Sequence, residues 1–355
     1  MVVGFIHHYG LGDNINCFQA LYECKKFYNC HLIVFGNALM KRLLQYCSFV
    51  DDVVDIHILT KESALHIKEY NCDYLILTNA KGGYIRDLAA CDTQVITGIK
   101  ISSLIASYCR TIPICSLAIY RRMSNAERIS MLVREINPSI YDCHKQIECM
   151  GLQPILELCR IQTSLEHKAN ITSFLQKTMV ECSSYLYLIA INPFNIASKY
   201  TLPQSAWLKL IQIIARIPYC RVLVITYPAV HDGFMKQMQQ FSDTLDSEIT
   251  IFKNNDDVLN LVEMLSRVSL LISPSTGPIH IASNLAIPTL GVFSKKDTIK
   301  WATRDKRYVV VDCESLELEL DSNKSDVIIK QIVQNVESLL AINSLPRFIF
   351  PNTKK

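Results

Sequence analysis

Short runs of β-branched and apolar residues alternate with longer amphipathic stretches along almost the whole chain. This alternation is typical of βα units, in which parallel strands form a sheet and helices cover its faces. The predicted strands lie near 2–8, 31–36, 53–58, 73–78 and 94–98, and again near 185–192, 221–226, 248–252, 269–273, 288–293 and 308–312. The predicted helices lie near 14–28, 38–47, 61–70, 101–109, 205–217, 229–245, 257–267, 278–286 and 324–343. The pattern predicts an α/β protein with two Rossmann-like parallel sheets.

Residues 121–180 separate the two series of strands. This segment lacks the strand pattern and is polar, helical and irregular, as chain near a domain boundary commonly is. We predict an N-terminal domain at 1–175 and a C-terminal domain at 176–330. Ligands of such sheets bind beyond the carboxyl ends of the strands, so we expect the functional residues in the loops there and the ligand in a cleft that the two sheets face.

Composition excludes several classes of protein. Half of the 355 residues are apolar and 19% are charged, with 11 glycines and 12 prolines, which excludes disordered and collagen-like chains. A net charge of +3 does not indicate nucleic-acid binding. The 14 cysteines are scattered without any C-x-x-C spacing, and the group Cys143, His144 and Cys149 lacks a second ligand pair, so we predict buried thiols and no metal site. The N-terminus has no basic signal-peptide region and no long apolar stretch follows, which predicts a cytoplasmic protein.

The loop after the first predicted strand contains Gly10, Gly12, Asp13 and Asn14. Glycines at this position let the backbone turn and let a ligand approach closely, but the third glycine of the dinucleotide fingerprint is replaced by Ile15. Asp13 has two interpretations, a helix N-cap or a general base at the edge of the cleft.

A second loop, from Ser275 to His280, follows an apolar strand with the sequence Ser-Thr-Gly-Pro-Ile-His. Pro278 at the start of a helix fixes the turn, and the hydroxyls of Ser275 and Thr276 would join the backbone N–H groups near Gly277 around a phosphate. His280 is interpreted either as part of that phosphate site or as a packed histidine.

A third loop begins with Asn192-Pro193 and contains a single cation, Lys199, before Trp207. One cation in an otherwise uncharged loop at the carboxyl end of a strand suits a phosphate ligand. A solvated lysine is the alternative, because most lysines are exposed.

These loops, in this order and spacing, resemble glycosyltransferase family 9, which includes the ADP-heptose:lipopolysaccharide heptosyltransferases. The resemblance rests on Gly12-Asp13, on Asn192-Pro193 with Lys199 and Trp207, and on the segment from Ser275 to Ala282 with Pro288 and Phe293. It implies a GT-B fold, two Rossmann-like domains with sheets facing across a cleft, in which residues 331–355 form a helix and tail that return to the N-terminal domain.

The resemblance also implies roles for single residues. Asp13 would be the general base, beside Gly10, Gly12 and Asn14, and Lys199 would neutralise the diphosphate of the donor. Ser275, Thr276, Gly277, Pro278 and His280 would bind the same diphosphate. Because the chain has no D-x-D triplet, a metal-dependent site is not expected, and no cofactor is predicted.

The resemblance predicts transfer of heptose from ADP-heptose to a Kdo or heptose acceptor in the lipopolysaccharide core, by a cytoplasmic protein peripheral at the inner membrane. Ser275 and Ser294 depart from the family pattern, and 228–232 contains no clear donor-binding glutamate. Three alternatives therefore stay open: a family 9 enzyme with another nucleotide-sugar donor, a nucleotide-sugar epimerase of related fold, and a two-domain sugar- or nucleotide-binding protein. The apolar stretch 111–120 beside Arg121-Arg122 is either a membrane contact or a buried element.

Overall fold

The structure is a computed structural model that describes residues 1–114, 118–150, 155–179, 187–195, 198–241 and 248–350. The chain divides into two compact units, residues 1–162 and residues 163–355. Parts of six predicted features lie outside the described residues: the start of the strand at 185–192, the end of the helix at 229–245, the centre of the stretch 111–120, residues 151–154 and 180 of the segment 121–180, two residues of the loop before Lys199, and the tail 351–355. No helix among the described residues is long and apolar enough to cross a membrane.

The first unit is built on one parallel six-stranded sheet with the order β3-β2-β1-β4-β5-β6. Its strands are β1 (Val2–Ile6), β2 (His31–Gly36), β3 (Asp52–Asp55), β4 (Tyr74–Leu77), β5 (Gln94–Gly98) and β6 (Cys109–Ile112). This is the doubly wound strand order of Rossmann-like folds. The central strand β1 is almost wholly buried, as expected for a parallel strand covered on both faces.

The helices of the first unit match the prediction in part, since the helix at Gly82–Leu88 was not predicted and the one predicted at 101–109 ends at Leu104. They are α1 (Leu11–Asn16), α2 (Phe18–Tyr28), α3 (Ala38–Leu44), α4 (Lys61–Lys68), α5 (Gly82–Leu88), α6 (Ile101–Leu104), α7 (Ala118–Arg121), α8 (Asn125–Arg134), α9 (Pro138–Met150) and α10 (Ile155–Leu158). The predicted helix 14–28 is interrupted at Cys17, whose N–H donates to the Asn14 carbonyl in a tighter turn at 3.2 Å. Edge strand β6 was missed because its half-buried residues lack the apolar pattern of the central strands.

The second unit repeats the same topology, with the strand order β12-β11-β10-β7-β8-β9 and all pairings parallel. Its strands are β7 (Tyr187–Ile191), β8 (Cys220–Thr226), β9 (Ile249–Lys253), β10 (Leu270–Pro274), β11 (Thr289–Phe293) and β12 (Tyr308–Val310). Its helices are α11 (Leu165–Thr178), α12 (Gln204–Ala215), α13 (Pro228–Phe241), α14 (Val258–Leu265), α15 (Gly277–Asn284), α16 (Asp297–Lys300), α17 (Ser315–Leu320) and α18 (Ser322–Ala341). The α/β class and the two Rossmann-like sheets are confirmed.

The division between the units differs from the predicted boundary at 175/176. Helix α11 belongs to the second unit, because Phe174 packs edge-to-face on Phe252 of β9 with ring centroids 5.2 Å apart. His167 Nε2 also lies 3.4 Å from Asp257 Oδ2 before α14. Local polarity suggested a later boundary, whereas these long-range contacts place it before α11.

Helix α18 also differs from its prediction. Its buried stripe includes Ile332, Val336 and Leu339, which join the core of the second unit beside Trp207 and Leu210 of α12. The expectation that residues from 331 return to the N-terminal domain is therefore not met over 331–350, because this apolar stripe is already buried in the core of the second unit.

The described cysteines are free thiols, and most are buried. Burial raises the pKa of Cys47 and Cys159 to about 12, so both stay protonated at neutral pH. Cys24 and Cys30 come closest, with their sulfurs 3.9 Å apart. These side chains act as small apolar groups in the core of the first unit.

Candidate functional site

The loop between β1 and α1 places Asp13 at the carboxyl edge of the first sheet. Gly10 is the N-cap of α1, and Asp13 is the third residue of the helix, half-buried in its first turn. Asp13 is therefore not the N-cap, although a carboxylate in the first turn still interacts favourably with the helix dipole. Gly10 has φ −71°, and a Cβ there would meet nothing within 4 Å, so neither strain nor packing in this unit requires a glycine.

Asn14 fixes the shape of this loop. Its side chain is fully buried; Oδ1 accepts a hydrogen bond from the Tyr9 N–H at 3.3 Å, and Nδ2 donates to Asn37 Oδ1 at 3.3 Å. Asn37 Nδ2 donates in turn to the Tyr9 carbonyl at 2.9 Å. The buried amide of Asn14 and the half-buried amide of Asn37 therefore hold the backbone just before Gly10, and Asn14 has a structural role in the loop that carries Asp13.

Three aromatic residues, for which no role was predicted, precede Gly10. Tyr9 lies near Asp13, and its side chain hydrogen-bonds with that of Asn79; burial is the main cause that raises the pKa of Tyr9 to about 12. His8 stacks on Tyr9 with ring centroids 5.8 Å apart, and its Nε2 lies 3.2 Å from the Tyr84 hydroxyl. The sequence feature that could have indicated a role for these residues is the unbroken run of polar aromatic residues directly after a buried strand.

His7 supports the same loop from inside. Its Nδ1 lies 2.8 Å from Thr78 Oγ1, and its ring lies against Tyr9 with centroids 4.7 Å apart. Burial, with a smaller contribution from His8, lowers the pKa of His7 to about 3. His7 is therefore a neutral, packed imidazole at any physiological pH.

The loop after β10 in the second unit is organised by Asn192 at the end of β7. The Asn192 amide donates hydrogen bonds to Ser273 Oγ at 3.0 Å and to Thr276 Oγ1 at 2.9 Å. Thr276 is the N-cap of α15, but its side chain does not cap the helix. The first-turn N–H groups of α15 thus lack a side-chain cap, and Gly277 and Pro278 are its first two residues.

His280, the fourth residue of α15, is buried and packs edge-to-face on Trp301 with ring centroids 6.0 Å apart. Burial lowers its pKa to about 4, so the ring is neutral near pH 7. The geometry agrees with the packed-histidine interpretation, and a role beside a phosphate stays a prediction.

Lys199 is engaged by another side chain. Its exposed ammonium forms an ion pair with Glu314, which raises the pKa of the lysine, and its carbonyl accepts from the Ser315 N–H at 2.8 Å. A phosphate would have to replace Glu314 as the partner of this lysine. The sequence could not reveal this competitor, because Glu314 follows β12, far along the chain.

A cavity of about 540 Å³ opens at the carboxyl edge of the second sheet. Its lining consists of Ser198, Tyr200, Ser275, Ser294, Lys295, Lys296, Asp297, Trp301, Val311 and Asp312. Ser275 is the predicted site residue in this lining, whereas Lys295, Lys296 and Trp301 were missed. Their position in the loop after β11 could have indicated that they line this cavity, since the loops of parallel strands meet at this edge of the sheet. Among the residues that the structure describes, no three or more His, Cys, Asp or Glu side chains are arranged to hold a metal ion.

Two parallel sheets of doubly wound order, each with its loops at the carboxyl edge, define an α/β protein of GT-B-like fold. Solved structures agree with this class. A glycosyltransferase family 9 protein from Veillonella parvula matches with a TM-score of 0.71 at 12% identity, covering 96% of this chain and 97% of that one. The E. coli ADP-heptose lps heptosyltransferase II matches with a TM-score of 0.63 at 13% identity, covering 93% and 99%. E. coli heptosyltransferase WaaC with ADP-2-deoxy-2-fluoro heptose gives 0.60 at 15% identity, covering 94% and 99%.

Residues 184–327 match the model of glycosyltransferase family 9 (heptosyltransferase). The resemblance inferred from the loops is confirmed over these residues. No curated protein sequence matches the chain. The matched range contains Asn192, Lys199 and the segment from Ser275 to His280, whereas Asp13 lies outside it.

Proposed function

We propose that the protein is an inverting, metal-independent glycosyltransferase that moves heptose from ADP-heptose to a Kdo or heptose acceptor of the lipopolysaccharide inner core. The observation that carries this proposal is the family 9 match, together with the loop before α15 that Asn192 organises within it. Two neighbours of the same fold support the donor, since their names specify an ADP-heptose transferase and an enzyme with an ADP-heptose analogue.

In this proposal Asp13 is the general base. Its carboxylate takes the proton of the acceptor hydroxyl while that oxygen attacks the anomeric carbon of the donor. The bond from the anomeric carbon to the diphosphate oxygen breaks on the opposite face, so the configuration inverts and ADP leaves. The side-chain amides of Asn14 and Asn37 hold the loop of Asp13 in place, which a positioned base requires.

Groups of the second unit stabilise the negative charge that develops on the departing diphosphate. The uncapped N–H groups of α15 and the Thr276 hydroxyl offer hydrogen bonds without needing a metal. Lys199 contributes once the phosphate displaces Glu314, and Lys295 and Lys296 add positive charge along the adjoining cavity. Trp301 and Tyr200 offer flat apolar surface in the same cavity.

The test is a transfer assay with ADP-heptose and a Kdo-terminated acceptor, run with EDTA and with added Mg²⁺. We expect ADP release that depends on the acceptor, an inverted product and equal rates in both buffers. An epimerase would convert the nucleotide sugar without consuming acceptor, and a binding protein would give no turnover. Turnover with a UDP- or GDP-sugar alone would retain the fold and the role of Asp13 but replace the donor.

A further inference from the structure

Helix α6 reverses the usual relation between polarity and burial. Its large apolar side chains point to solvent, with exposed fractions of 82% for Ile101, 59% for Leu104 and 82% for Ile105 at its end. The small polar side chain of Ser103 is the buried one, and its hydroxyl donates to the Gly98 carbonyl at 3.0 Å. Positions 101, 104 and 105 share one face of a helix, so these side chains form a single apolar patch, called here the α6 patch.

Three basic residues lie on α6 and on the adjoining helix α5. Lys100 is exposed at the N-cap of α6. Lys81 caps the neighbouring helix α5, where a Cβ on Gly82 would lie 3.7 Å from Ser102 Cβ of α6. The side chain of Arg86 on α5 is 82% exposed, and its Nε lies 3.5 Å from Asp87, the acidic residue of that helix. An apolar face with a cationic border matches a bilayer that presents anionic headgroups over an acyl interior.

The position of the patch in the fold adds a second argument. Helix α6 begins just after β5 ends at Gly98, and β5 is separated from β1 only by β4 in the same parallel sheet. The patch and the loop of Asp13 therefore lie at the same carboxyl edge of the first unit. A lipid-linked acceptor in a membrane under α6 would be presented to the edge that carries Asp13.

We propose that Ile101, Leu104 and Ile105, with Lys81, Arg86 and Lys100, form a docking surface for an anionic phospholipid bilayer. This surface is distinct from the stretch 111–120 that the sequence suggested. The inference rests on the proposed function, because the docking surface would bring the enzyme to a lipid-linked acceptor. Its test measures vesicle binding and does not depend on turnover.

The experiment is co-sedimentation of the full chain with vesicles of phosphatidylglycerol and phosphatidylethanolamine, compared with vesicles of phosphatidylcholine. We expect binding to the anionic vesicles that weakens with salt. The double variant Ile101→Ser/Ile105→Ser should bind at least about tenfold more weakly, because both side chains lose their apolar contact with the bilayer. Lys100→Gln should weaken binding by roughly fivefold, the usual contribution of one cation near an anionic surface.

Leu65→Ser on α4 is the matched control, since Leu65 is a half-exposed apolar residue of the same unit outside the patch. It should bind vesicles as the unchanged protein does. Equal binding of Ile101→Ser/Ile105→Ser and the unchanged protein, or no binding by either, would overturn the proposal. A dimer that this double variant converts to monomer, without vesicle binding, would also overturn it and assign the patch to self-association.

Activity separates this inference from the proposed function. With a water-soluble acceptor, Ile101→Ser/Ile105→Ser should keep full turnover, and with a vesicle-bound acceptor it should lose most of it. Vesicle binding without transfer of heptose would leave the docking surface standing and reject the proposed reaction. Equal turnover by the two proteins on the vesicle-bound acceptor would reject the docking surface alone.

Discussion

At the residue scale, the functional proposal depends most on Asp13. The amides of Asn14 and Asn37 hydrogen-bond to the backbone of the loop around it, and the neutral ring of His7 packs against Tyr9. Tyr9 brings a hydroxyl of raised pKa near the Asp13 carboxylate, so this hydroxyl remains protonated and able to donate a hydrogen bond. These contacts support the proposed role of Asp13 as the general base.

The substitution Asp13→Asn tests this role directly. It keeps the size and the first-turn position of the side chain but removes the base, so kcat should fall by about 10²-fold or more. Binding of ADP, followed by titration calorimetry, should not change. Asp55→Asn, at an exposed aspartate of the same unit, serves as the control. Unchanged turnover in Asp13→Asn would exclude Asp13 as the base.

The lowered pKa of His280 leads to a prediction of how the stability of the protein depends on pH. Its pKa in the folded protein is lowered to about 4, below the ordinary histidine value, so the unfolded chain binds a proton that the folded protein excludes. Stability should therefore be insensitive to this residue above about pH 6.5 and should fall as the pH decreases toward 4. Between pH 7 and pH 5, the free energy of unfolding of His280→Gln should decrease by about 2 kcal/mol less than that of the unchanged protein, as measured by urea unfolding.

The control for this comparison is His66→Gln, because the His66 side chain is half exposed at the surface of α4. That variant should keep the pH dependence of the unchanged protein. If His280→Gln retains it as well, the imidazole at 280 is not the group that excludes the proton.

At the element scale, a buried carboxylate joins two helices of the first unit. Glu23 of α2 is fully buried; its Oε2 accepts from the Tyr141 hydroxyl at 2.7 Å, and its Oε1 accepts from Lys145 Nζ at 2.5 Å, both from α9. A buried charge is tolerated only when it is paired and hydrogen-bonded. The contact thus fixes which face of α9 packs on α2.

Removing Lys145, the cationic partner of Glu23, should destabilise the folded protein. Lys145→Met removes the ammonium group that pairs with the buried Glu23 carboxylate, and we expect a loss of about 3–5 kcal/mol in the free energy of unfolding. The double variant Glu23→Leu/Lys145→Met should recover most of that loss, because it removes both charges together. Chemical denaturation of the two variants provides the comparison. Equal stability of the two variants would show that the loss of stability in Lys145→Met does not come from breaking the charge pair.

At the scale of the whole molecule, the two units have separate cores and separate candidate chemistry. The chain has two tryptophans, Trp207 and Trp301, and both lie in the second unit. Trp207 is fully buried beneath the second sheet, and Trp301 lines the cavity at its carboxyl edge. Tryptophan emission therefore reports on the unit that contains the residues matching the family 9 model.

This distribution gives a test of where the nucleotide binds. ADP at a hundred times its Kd should stabilise the second unit by about 2.7 kcal/mol and raise the midpoint of the tryptophan-monitored melt. The same shift should occur with EDTA present. UDP, GDP and CMP are the comparison ligands, and an equal shift with all of them would contradict a preference for adenine. No shift with any nucleotide would contradict a donor site in this unit.

The sequence by itself determined the repeated elements of this protein. Strand and helix periods depend on residues close together along the chain, so all the described strands except β6 could be located from local patterns. The strand order of parallel βα units then places their loops at one edge. For this reason Asp13 and the segment from Ser275 to His280 could be selected as candidates before any coordinates were considered.

Only the tertiary structure decided which side chains meet. The pairing of Lys199 with Glu314, the burial of α18 in the second core and the packing of α11 on β9 all join residues far apart in sequence. The outward face of α6 is a further case, because its composition alone predicts burial and only the neighbouring strands and helices leave it exposed. Periodicity is set by neighbours along the chain, whereas contacts depend on how distant elements compete for the same buried surface.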